Sequence, residues 1–291
     1  MLSNLNNVCT LCPLRCGVDR KNSVGGCGAG DKIKIAKYYL HKFEEPCISG
    51  KNGSGTVFFC GCALKCKFCQ NYELSRNLRG KEISVDELAD IFSDLERQGA
   101  ENINLVTPTQ YSDKIIRALE IYKPAIPIVY NTHGYESLDV LTEIYKYIDV
   151  YLPDLKFYSP AISKRYTGKE NYFEYASKAV KFMAKKPLCF DDNGMMKSGT
   201  IVRHLVLPAC VSDSKKIIDF FAENLKDNAY LNVMSQYVPM GDIKDFPELN
   251  RPITKREYDS VIDYAISKGI DKMFYQKRIS ADKEYIPVWD L

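Results

Sequence analysis

Three cysteines stand close together in the segment GCALKCKFCQN, residues 61–71. Cys62, Cys66 and Cys69 could supply three thiolates from one short loop, which suits a cubane iron–sulfur cluster. Such a cluster normally takes four thiolates, one for each iron, so one iron would be left open to a small bidentate ligand. A zinc ion would need a fourth Cys or His nearby, and the next one downstream is His133. The spacing therefore predicts an iron–sulfur cluster with one open iron.

A second group of four cysteines lies near the N-terminus, at Cys9, Cys12, Cys16 and Cys27. Pro13 follows the second of them, and the fourth stands in the glycine-rich segment Gly-Gly-Cys-Gly. Four thiolates satisfy either a second [4Fe-4S] cluster or a structural zinc ion. The close spacing of the first three favours the cluster, while zinc and a loop without metal stay as alternatives.

The composition excludes several classes of protein. The chain has 291 residues, of which 45% are hydrophobic and 26% charged, with a net charge of +3. These values are typical of a globular protein and give no strong sign of binding to nucleic acid, and no apolar run is long enough to span a membrane. The first residues lack the basic and apolar regions of a secretory signal. We therefore expect a cytoplasmic protein whose cysteines do not form disulfides. Seven of its eleven cysteines, those of the two groups, are predicted to bind metal, and the scattered Cys47, Cys60, Cys189 and Cys210 are predicted to be packing residues.

Apolar strand patterns alternate with helical patterns from residue 56 onward, which indicates consecutive strand–helix units and a parallel sheet. Right-handed crossovers would curl such a sheet into a barrel or an open part of one. Seven strands are predicted, the last with the weakest pattern, over residues 56–60, 102–107, 126–131, 148–153, 201–207, 229–234 and 270–275.

The helices and turns between these strands have their own signals. Capping boxes at residues 84–87 and 254–257 predict the starts of two helices, the second ending at Gly269. Ser112 and Ser212 predict the starts of two more, and an Asp-Asn-Gly turn predicts a β-hairpin within 186–199. Residues 1–55 are glycine-rich and show little periodicity, so they are predicted to form a separate cysteine-rich module. Residues 56–291 would form the barrel and a C-terminal tail.

The loop at 61–71 resembles the cysteine loop of the radical S-adenosylmethionine (SAM) superfamily, in which C-x3-C-x2-C follows the first barrel strand and an aromatic residue, here Phe68, precedes the last cysteine. The resemblance extends over residues 56 to 276. It implies a partial (β/α)6 TIM-like barrel and a [4Fe-4S] cluster held by Cys62, Cys66 and Cys69. It also implies that the methionine amine and carboxylate of SAM chelate the open iron. An electron from the cluster would cleave SAM to a 5′-deoxyadenosyl radical, which abstracts a hydrogen atom from the substrate.

Within this superfamily, the cysteine loop and the segment DLKFYSPAISKRYTG at 154–168 are most similar to pyruvate formate-lyase-activating enzymes. Relatives of those enzymes often carry an N-terminal C-x2-C-P-x2-C segment, as residues 9–16 do. The resemblance implies a glycyl-radical enzyme as partner and a flavodoxin or ferredoxin as reductant. Two features depart from the family: Thr107-Pro108-Thr109 replaces its Gly-Gly-Glu, and residues 70–101 contain no cysteine where other activases carry a ferredoxin insert.

Polar residues cluster at the carboxyl ends of the predicted strands, where parallel α/β folds bind their ligands. SAM presents a carboxylate, which Lys156 or Arg203 could meet, and a ribose diol, which Asp154 could meet. The family resemblance implies that Asp154 and Lys156 contact SAM and that Asn131, Thr132 and Asp154 hold a monovalent cation. The predicted cofactor-binding residues are Phe68, Thr107, Thr109, Asn131, Thr132, Asp154, Lys156, Arg203 and Gln236.

The sequence thus predicts a radical SAM enzyme, and three alternatives stay open for its function. An activase would plant a glycyl radical on a partner protein and needs an open barrel side. An enzyme acting on a small molecule, a peptide or an RNA base should close the barrel mouth, for which the N-terminal module and the tail Ile286–Leu291 are available. The third alternative is a metal-stapled binding protein without catalytic activity, against which the three-plus-four cysteine pattern argues.

Overall fold

The structure is a computed structural model that describes residues 8–275. These residues form ten strands: β1 (Ile33–His41), β2 (Ser54–Phe59), β3 (Lys81–Ile83), β4 (Ile103–Val106), β5 (Ile128–Thr132), β6 (Val150–Pro153), β7 (Cys189–Phe190), β8 (Met196–Leu205), β9 (Tyr230–Met234) and β10 (Met273–Tyr275). The same part of the chain forms nine α-helices: α1 (Pro46–Ser49), α2 (Tyr72–Ser75), α3 (Val85–Arg97), α4 (Ser112–Ile121), α5 (Leu138–Ile144), α6 (Pro160–Thr167), α7 (Tyr172–Met183), α8 (Val211–Asn224) and α9 (Lys255–Ser267).

The strands form one sheet in the order β10-β9-β8-β6-β5-β4-β2-β1-β3, with β7 paired to β8. All pairs from β2 through β10 along this order are parallel. Each of the seven predicted strands is present, so the α/β fold with a parallel sheet is confirmed. The sheet is not closed, because β10 lies at one end of the order and β3 at the other. This is the architecture of a partial barrel.

The helices that cover the sheet begin and end where local sequence signals place them. Ser84 and Glu87 form the predicted capping box of α3, whose apolar stripe is buried against the sheet. Thr254 and Glu257 form the box of α9, which ends just before Gly269, a glycine at a φ of 69°. The predicted hairpin is the antiparallel pair of β7 and β8. Each of these signals acts within a few residues, which explains why sequence reasoning places them well.

Residues before β2 also belong to the sheet. β1 pairs antiparallel with β2, and β3 pairs antiparallel with β1, so two strands that were not predicted extend the sheet at one edge. Helix α1 then brings Ile48 into a buried apolar cluster with residues of β5, β6 and β8. The predicted domain boundary at residue 55 stays a prediction.

Two further observations concern the limits of the described chain. The tail Ile286–Leu291, proposed from the sequence to close the barrel mouth, lies outside the described residues. Within residues 8–275, no helix combines the length and the apolar character that a membrane crossing requires.

Candidate functional site

The three cysteines of the loop after β2 line one cavity of about 220 Å³ at the carboxyl ends of the parallel strands. Cys62 and Cys66 are buried, and Cys69 is half-buried. Phe68, between them, meets the rings of Phe157, Tyr166 and Tyr237 edge-on, with ring centroids 6.0 to 6.1 Å apart. These aromatic contacts fix the loop against the barrel and hold its thiols at the cavity wall.

The cysteine loop is also held by a segment from the far end of the chain. Lys67 donates through its amide to the carbonyl of Tyr166 at 2.9 Å, and its Nζ lies 2.7 Å from Asp242 Oδ2. Asp242 in turn donates its amide to the Lys67 carbonyl at 2.8 Å. A Cβ on Gly241 would lie only 2.4 Å from that carbonyl oxygen, so this position requires glycine. The loop after β9 therefore packs directly against the cysteine loop.

Burial raises the pKa of the Cys62 thiol to about 11 and raises that of Cys66 as well. Cluster ligands are thiolates, so iron binding must release protons from these groups. Across residues 8–275, no three Cys, His, Asp or Glu side chains form a group that could hold a metal ion. Thiols that each bind a different iron of a cubane do not have to meet at one ion.

A buried charge network lines the same cavity. Lys156 Nζ lies 2.6 Å from Asp154 Oδ2, and Arg203 Nε lies 3.3 Å from Asp154 Oδ1. Burial raises the pKa of Asp154, but the two cations outweigh it and hold this pKa below its usual value. Asp154 and Lys156 follow β6, and Arg203 lies in β8, the next strand of the sheet. The predicted strand-end residues are thus in direct contact.

Glu44, which was not predicted as a site residue, adds a further carboxylate to this charge network from the N-terminal part of the chain. Its Oε2 accepts a hydrogen bond from Arg203 Nη1 at 3.1 Å, and its Oε1 accepts from Asn104 at 2.9 Å and from Asn131 at 3.2 Å. Asn131 also accepts a hydrogen bond from Arg203 Nη2. The segment between β1 and β2 therefore contributes a carboxylate to the cavity wall.

The structure brings together in this cavity the three cysteines and eight of the nine predicted cofactor-binding residues. The cavity is lined by Phe68, Thr107, Asn131, Thr132, Asp154, Lys156, Arg203 and Gln236 from that prediction. Thr109 is the exception, because it is fully buried in a 3-10 turn and does not line the cavity. His133 also lines it, and its Nε2 has no hydrogen-bond partner among the described residues. Burial lowers the pKa of His133 to about 4, so this ring is neutral at pH 7.

Glu136 is a second carboxylate that sequence reasoning missed, and it lies behind the cavity wall. It accepts hydrogen bonds from Thr109 at 2.5 Å and from Thr132, and Tyr130 lies at 3.5 Å. Burial raises the pKa of Glu136 to about 7, because these neutral donors only partly replace its hydration. Thr109 thus contributes a hydrogen bond within the core and does not line the cavity. Thr132 lines the cavity and also donates a hydrogen bond to Glu136.

We expect Glu136→Gln to remove a pH dependence of stability. The pKa of Glu136 in the folded chain lies above the value of about 4.3 in the unfolded chain, so folding is favoured by protonation. Wild-type stability should therefore fall as pH rises from 4.3 to 7, and relative to the variant the loss should be roughly 3 kcal/mol. Urea denaturation at a series of pH values measures this difference. Glu174→Gln, at an exposed helix pair, is the control and should leave the wild-type slope unchanged.

The N-terminal cysteines lie beside the cysteine loop of the barrel. Cys9, Cys12 and Cys27 are buried, and Cys16 is exposed. A Cβ on Gly25 would lie 3.4 Å from the Sγ of Cys27 and 3.5 Å from the Sγ of Cys16, so both thiols face the space that this glycine leaves open. Burial raises the pKa of Cys16, but hydrogen bonds from backbone amides and from Cys9 outweigh it and lower this pKa. Two thiols of this module thus face one small space.

Comparison with known proteins agrees with this geometry. Residues 56–189 match the family model of the radical SAM superfamily. The chain is 32% identical over 284 residues to Uncharacterized protein MJ0674 of Methanocaldococcus jannaschii, covering 93% of this chain and 78% of that protein.

Solved structures are similar to this chain at the level of fold. Streptococcus suis SuiB bound to S-adenosylmethionine superimposes with a TM-score of 0.54 at 15% identity, covering 77% of this chain and 50% of SuiB. A radical SAM methyltransferase from Sphaerobacter thermophilus superimposes with a TM-score of 0.51 at 12% identity, covering 78% and 69% of the two chains. The three-cysteine loop at the mouth of a partial barrel and the match of the segment that contains it identify this chain as a member of the radical SAM superfamily.

Proposed function

We propose that this radical SAM enzyme is an activase that installs a glycyl radical on a partner protein. The observation that favours this substrate is the open sheet, because an activase needs an open barrel side and the strand order ends at β10 on one side and at β3 on the other. Glycine has no side chain, so a glycine in an extended loop presents its Cα hydrogen with less steric bulk than any other residue.

The residues of the cavity fit the two cofactors of the superfamily. Cys62, Cys66 and Cys69 would hold a [4Fe-4S] cluster, and the charge network in the same cavity carries both charges that SAM needs to meet. The unpartnered Nε2 of His133 leaves a buried polar atom for a bound ligand. When bound, cluster and SAM together supply a carbon radical that removes a hydrogen atom from the substrate.

The roles of the remaining wall residues follow from their positions. Lys156 and Arg203 would attract the SAM carboxylate, and Asp154 would accept hydrogen bonds from its ammonium or ribose groups. Thr107 and Gln236 would complete the polar surface, and Phe68 would shield the cluster from water. Asn131, Thr132 and Asp154 also offer oxygen atoms to a monovalent cation. Flavodoxin or ferredoxin would supply the electron in the reducing cytoplasm that the eleven cysteines favour.

The N-terminal thiols would hold a second metal centre, either a [4Fe-4S] cluster or a structural zinc ion. Four thiolates are a donor set that both centres accept, and two of these thiols face the space left open at Gly25. Metal analysis separates them: two clusters give about eight irons in the wild type and about four in a Cys9/Cys12 double variant. About four irons in both proteins, with zinc only in the wild type, would establish the structural ion.

The activase proposal is tested with the reconstituted protein, SAM, a reductant and a glycyl-radical enzyme from the same organism. We expect an organic radical on the partner in electron paramagnetic resonance (EPR) spectra, and its hyperfine splitting should collapse when the partner contains α-deuterated glycine. Deuterium should also appear in the 5′-deoxyadenosine. Formation of 5′-deoxyadenosine without a radical on the partner would overturn the activase proposal and leave the radical SAM chemistry intact.

A second candidate is an enzyme that acts on a small molecule, a peptide or an RNA base. His41, Phe43 and Glu44 favour it, because this N-terminal segment contributes to the lining of the cavity. A peptide substrate has support from SuiB, which has the same barrel fold and has been crystallised bound to its precursor peptide SuiA. A metal-stapled binding protein would show no turnover of SAM at all.

We expect Asp154→Ala to weaken SAM binding by roughly 1 to 3 kcal/mol, because a carboxylate that accepts a buried hydrogen bond from the ligand is lost. Calorimetry on the anaerobically reconstituted protein measures the dissociation constant. Asp259→Ala, which breaks an exposed pair with Lys255 on α9, is the matched control and should bind SAM as the wild type does. An unchanged affinity in Asp154→Ala would assign Asp154 a purely structural part.

A further inference from the structure

We propose that the N-terminal thiol site is the point of electron entry, and that Cys27 and Cys62 form the path along which the electron reaches the barrel cluster. This inference rests on the proposed function, because it requires the N-terminal centre to be a [4Fe-4S] cluster and not zinc. It adds a direction of electron flow and a physical connection between the two groups of cysteines.

The connection is a single backbone hydrogen bond between one cysteine of each group. The amide of Cys62 donates to the carbonyl of Cys27 at 3.0 Å. Gly61 makes this approach possible, since it has a φ of 87° and a Cβ there would lie 2.9 Å from the Cys27 carbonyl oxygen. The two cysteine loops are therefore in van der Waals contact at the position where a ligand of one site joins a ligand of the other.

This hydrogen bond makes the path between the two sulfurs short. From the Sγ of Cys27, the path crosses Cβ, Cα and the carbonyl group, passes the hydrogen bond, and reaches the Sγ of Cys62 through its own Cα and Cβ. With standard bond lengths and the 3.0 Å hydrogen bond, the sulfurs are at most about 14 Å apart along this path. Electron tunnelling between iron–sulfur clusters is fast over such a separation.

The N-terminal module is also fixed rigidly to the barrel, which an electron path of constant length requires. Arg20 donates to the carbonyl of Gly30 at 2.8 Å and to that of Gln110 at 2.5 Å. The side-chain amide of Gln110 then donates to the carbonyl of Gly61 at 3.0 Å. One chain of hydrogen bonds thus runs from the module, through the 3-10 turn after β4, to the residue beside Cys62.

The exposure of the cysteines gives the direction of flow. Each site has buried cysteines, but the N-terminal site has one exposed thiol, Cys16, whereas the most accessible thiol of the barrel site, Cys69, is half-buried at the wall of a cavity that SAM would fill. An external donor protein can therefore approach the N-terminal site more closely than the barrel site. The donor gives one electron to the outer cluster, which passes it to the barrel cluster. That electron breaks the sulfur–carbon bond of SAM, releasing methionine, and the resulting 5′-deoxyadenosyl radical becomes 5′-deoxyadenosine by taking one hydrogen atom from the substrate.

The proximity of the two sites is tested by EPR spectroscopy of the dithionite-reduced full chain, without SAM turnover. In the wild type, two reduced clusters this close should broaden each other's signals by magnetic coupling. A Cys9→Ser, Cys12→Ser double variant should show one sharp, uncoupled signal. Gly61→Ala keeps all seven cysteines but drives a Cβ against the Cys27 carbonyl, so its coupling should weaken. Gly168→Ala is the control, since its φ is 73° but its Cβ would meet no atom within 4 Å, and its coupling should match the wild type.

The direction of flow is tested by rapid mixing with two donors. Reduced flavodoxin should reduce the barrel cluster of the wild type in a fast phase that the double variant lacks, while dithionite, a small molecule, should reduce both proteins. If the double variant does not fold, Gly61→Ala must lose the fast phase.

Three results would overturn the proposal: zinc at the N-terminal site, uncoupled signals in the wild type, or equally fast reduction of wild type and variant by flavodoxin. A wild type that fails to cleave SAM with dithionite would contradict the proposed function instead, whatever its coupling.

Discussion

Replacing Cys62, Cys66 and Cys69 together with alanine is expected to abolish the formation of 5′-deoxyadenosine from SAM. Each thiolate would hold one iron of the barrel cluster, so a loop without them has no protein ligand for it. The measurement is the amount of 5′-deoxyadenosine formed under anaerobic conditions with dithionite and SAM, together with the iron content of the purified protein. Product should fall to the level of a reaction without enzyme, and about four irons should be lost.

The matched control for this change is Cys189→Ala. Cys189 is an exposed thiol in β7, outside the cavity wall, so its removal should change neither the iron content nor the product. Product formation by the triple variant at the wild-type rate would show that the cluster is held elsewhere in the chain. Iron lost equally in the control variant would show that thiol removal acts on iron content without regard to position.

Replacing Arg203 with methionine is expected to be the most destabilising single change in the barrel interior. Arg203 is paired with Glu44 and Asp154, and all three side chains are at least four-fifths buried. Methionine fills a similar volume but removes the positive charge that compensates two buried carboxylates. In comparable sites such a change costs about 3 to 5 kcal/mol of folding stability. Anaerobic urea denaturation of the variant and the wild type measures this loss.

The pH dependence of the same variant provides a second readout. In the wild type, Lys156 and Arg203 hold the pKa of Asp154 below its usual value, so its contribution is present at neutral pH and is lost as pH falls through that pKa. Without Arg203 this carboxyl protonates at higher pH, which relieves the buried charge. The deficit of the variant should therefore shrink as pH is lowered.

Lys164→Met is the control for Arg203→Met. Lys164 pairs with Glu170 at 2.9 Å, but both side chains are 65% exposed. Water screens such a pair, so its loss should cost less than about 1 kcal/mol. A similar cost for both variants would mean that the interior network contributes no more than a surface pair.

The sequence predicts the parallel sheet well because each strand–helix unit carries its signals locally. Apolar runs, capping residues and turns all act within about ten residues, and they mark the seven parallel strands and the helices between them. β1 was missed because its buried isoleucines stand among lysines and tyrosines in a glycine-rich region, and β3 because three residues show no periodicity. Both depend on pairing with an edge that only the folded sheet provides.

The cavity residues also divide into those that local sequence signals predict and those that depend on distant contacts. Cys62, Asp154 and Arg203 could be named in advance because close spacing and strand ends indicate where ligands bind. Glu44 could not be named, because its partner Arg203 lies 159 residues away and no local pattern joins them. Glu136 likewise could not be named, because it stands in a loop and its role depends on which side chains pack around it in the folded chain.

The contact between Lys67 and Asp242 bears on the order of events during biosynthesis. The cysteine loop leaves the ribosome 175 residues before the aspartate that seats on it. At about 5 to 20 residues per second, this interval lasts roughly 10 to 35 s. Throughout that time the three thiols stand in a nascent chain without the segment that covers them, where oxidants and other metals can reach them. The loop after β9 can therefore protect these thiols only once synthesis has passed Asp242.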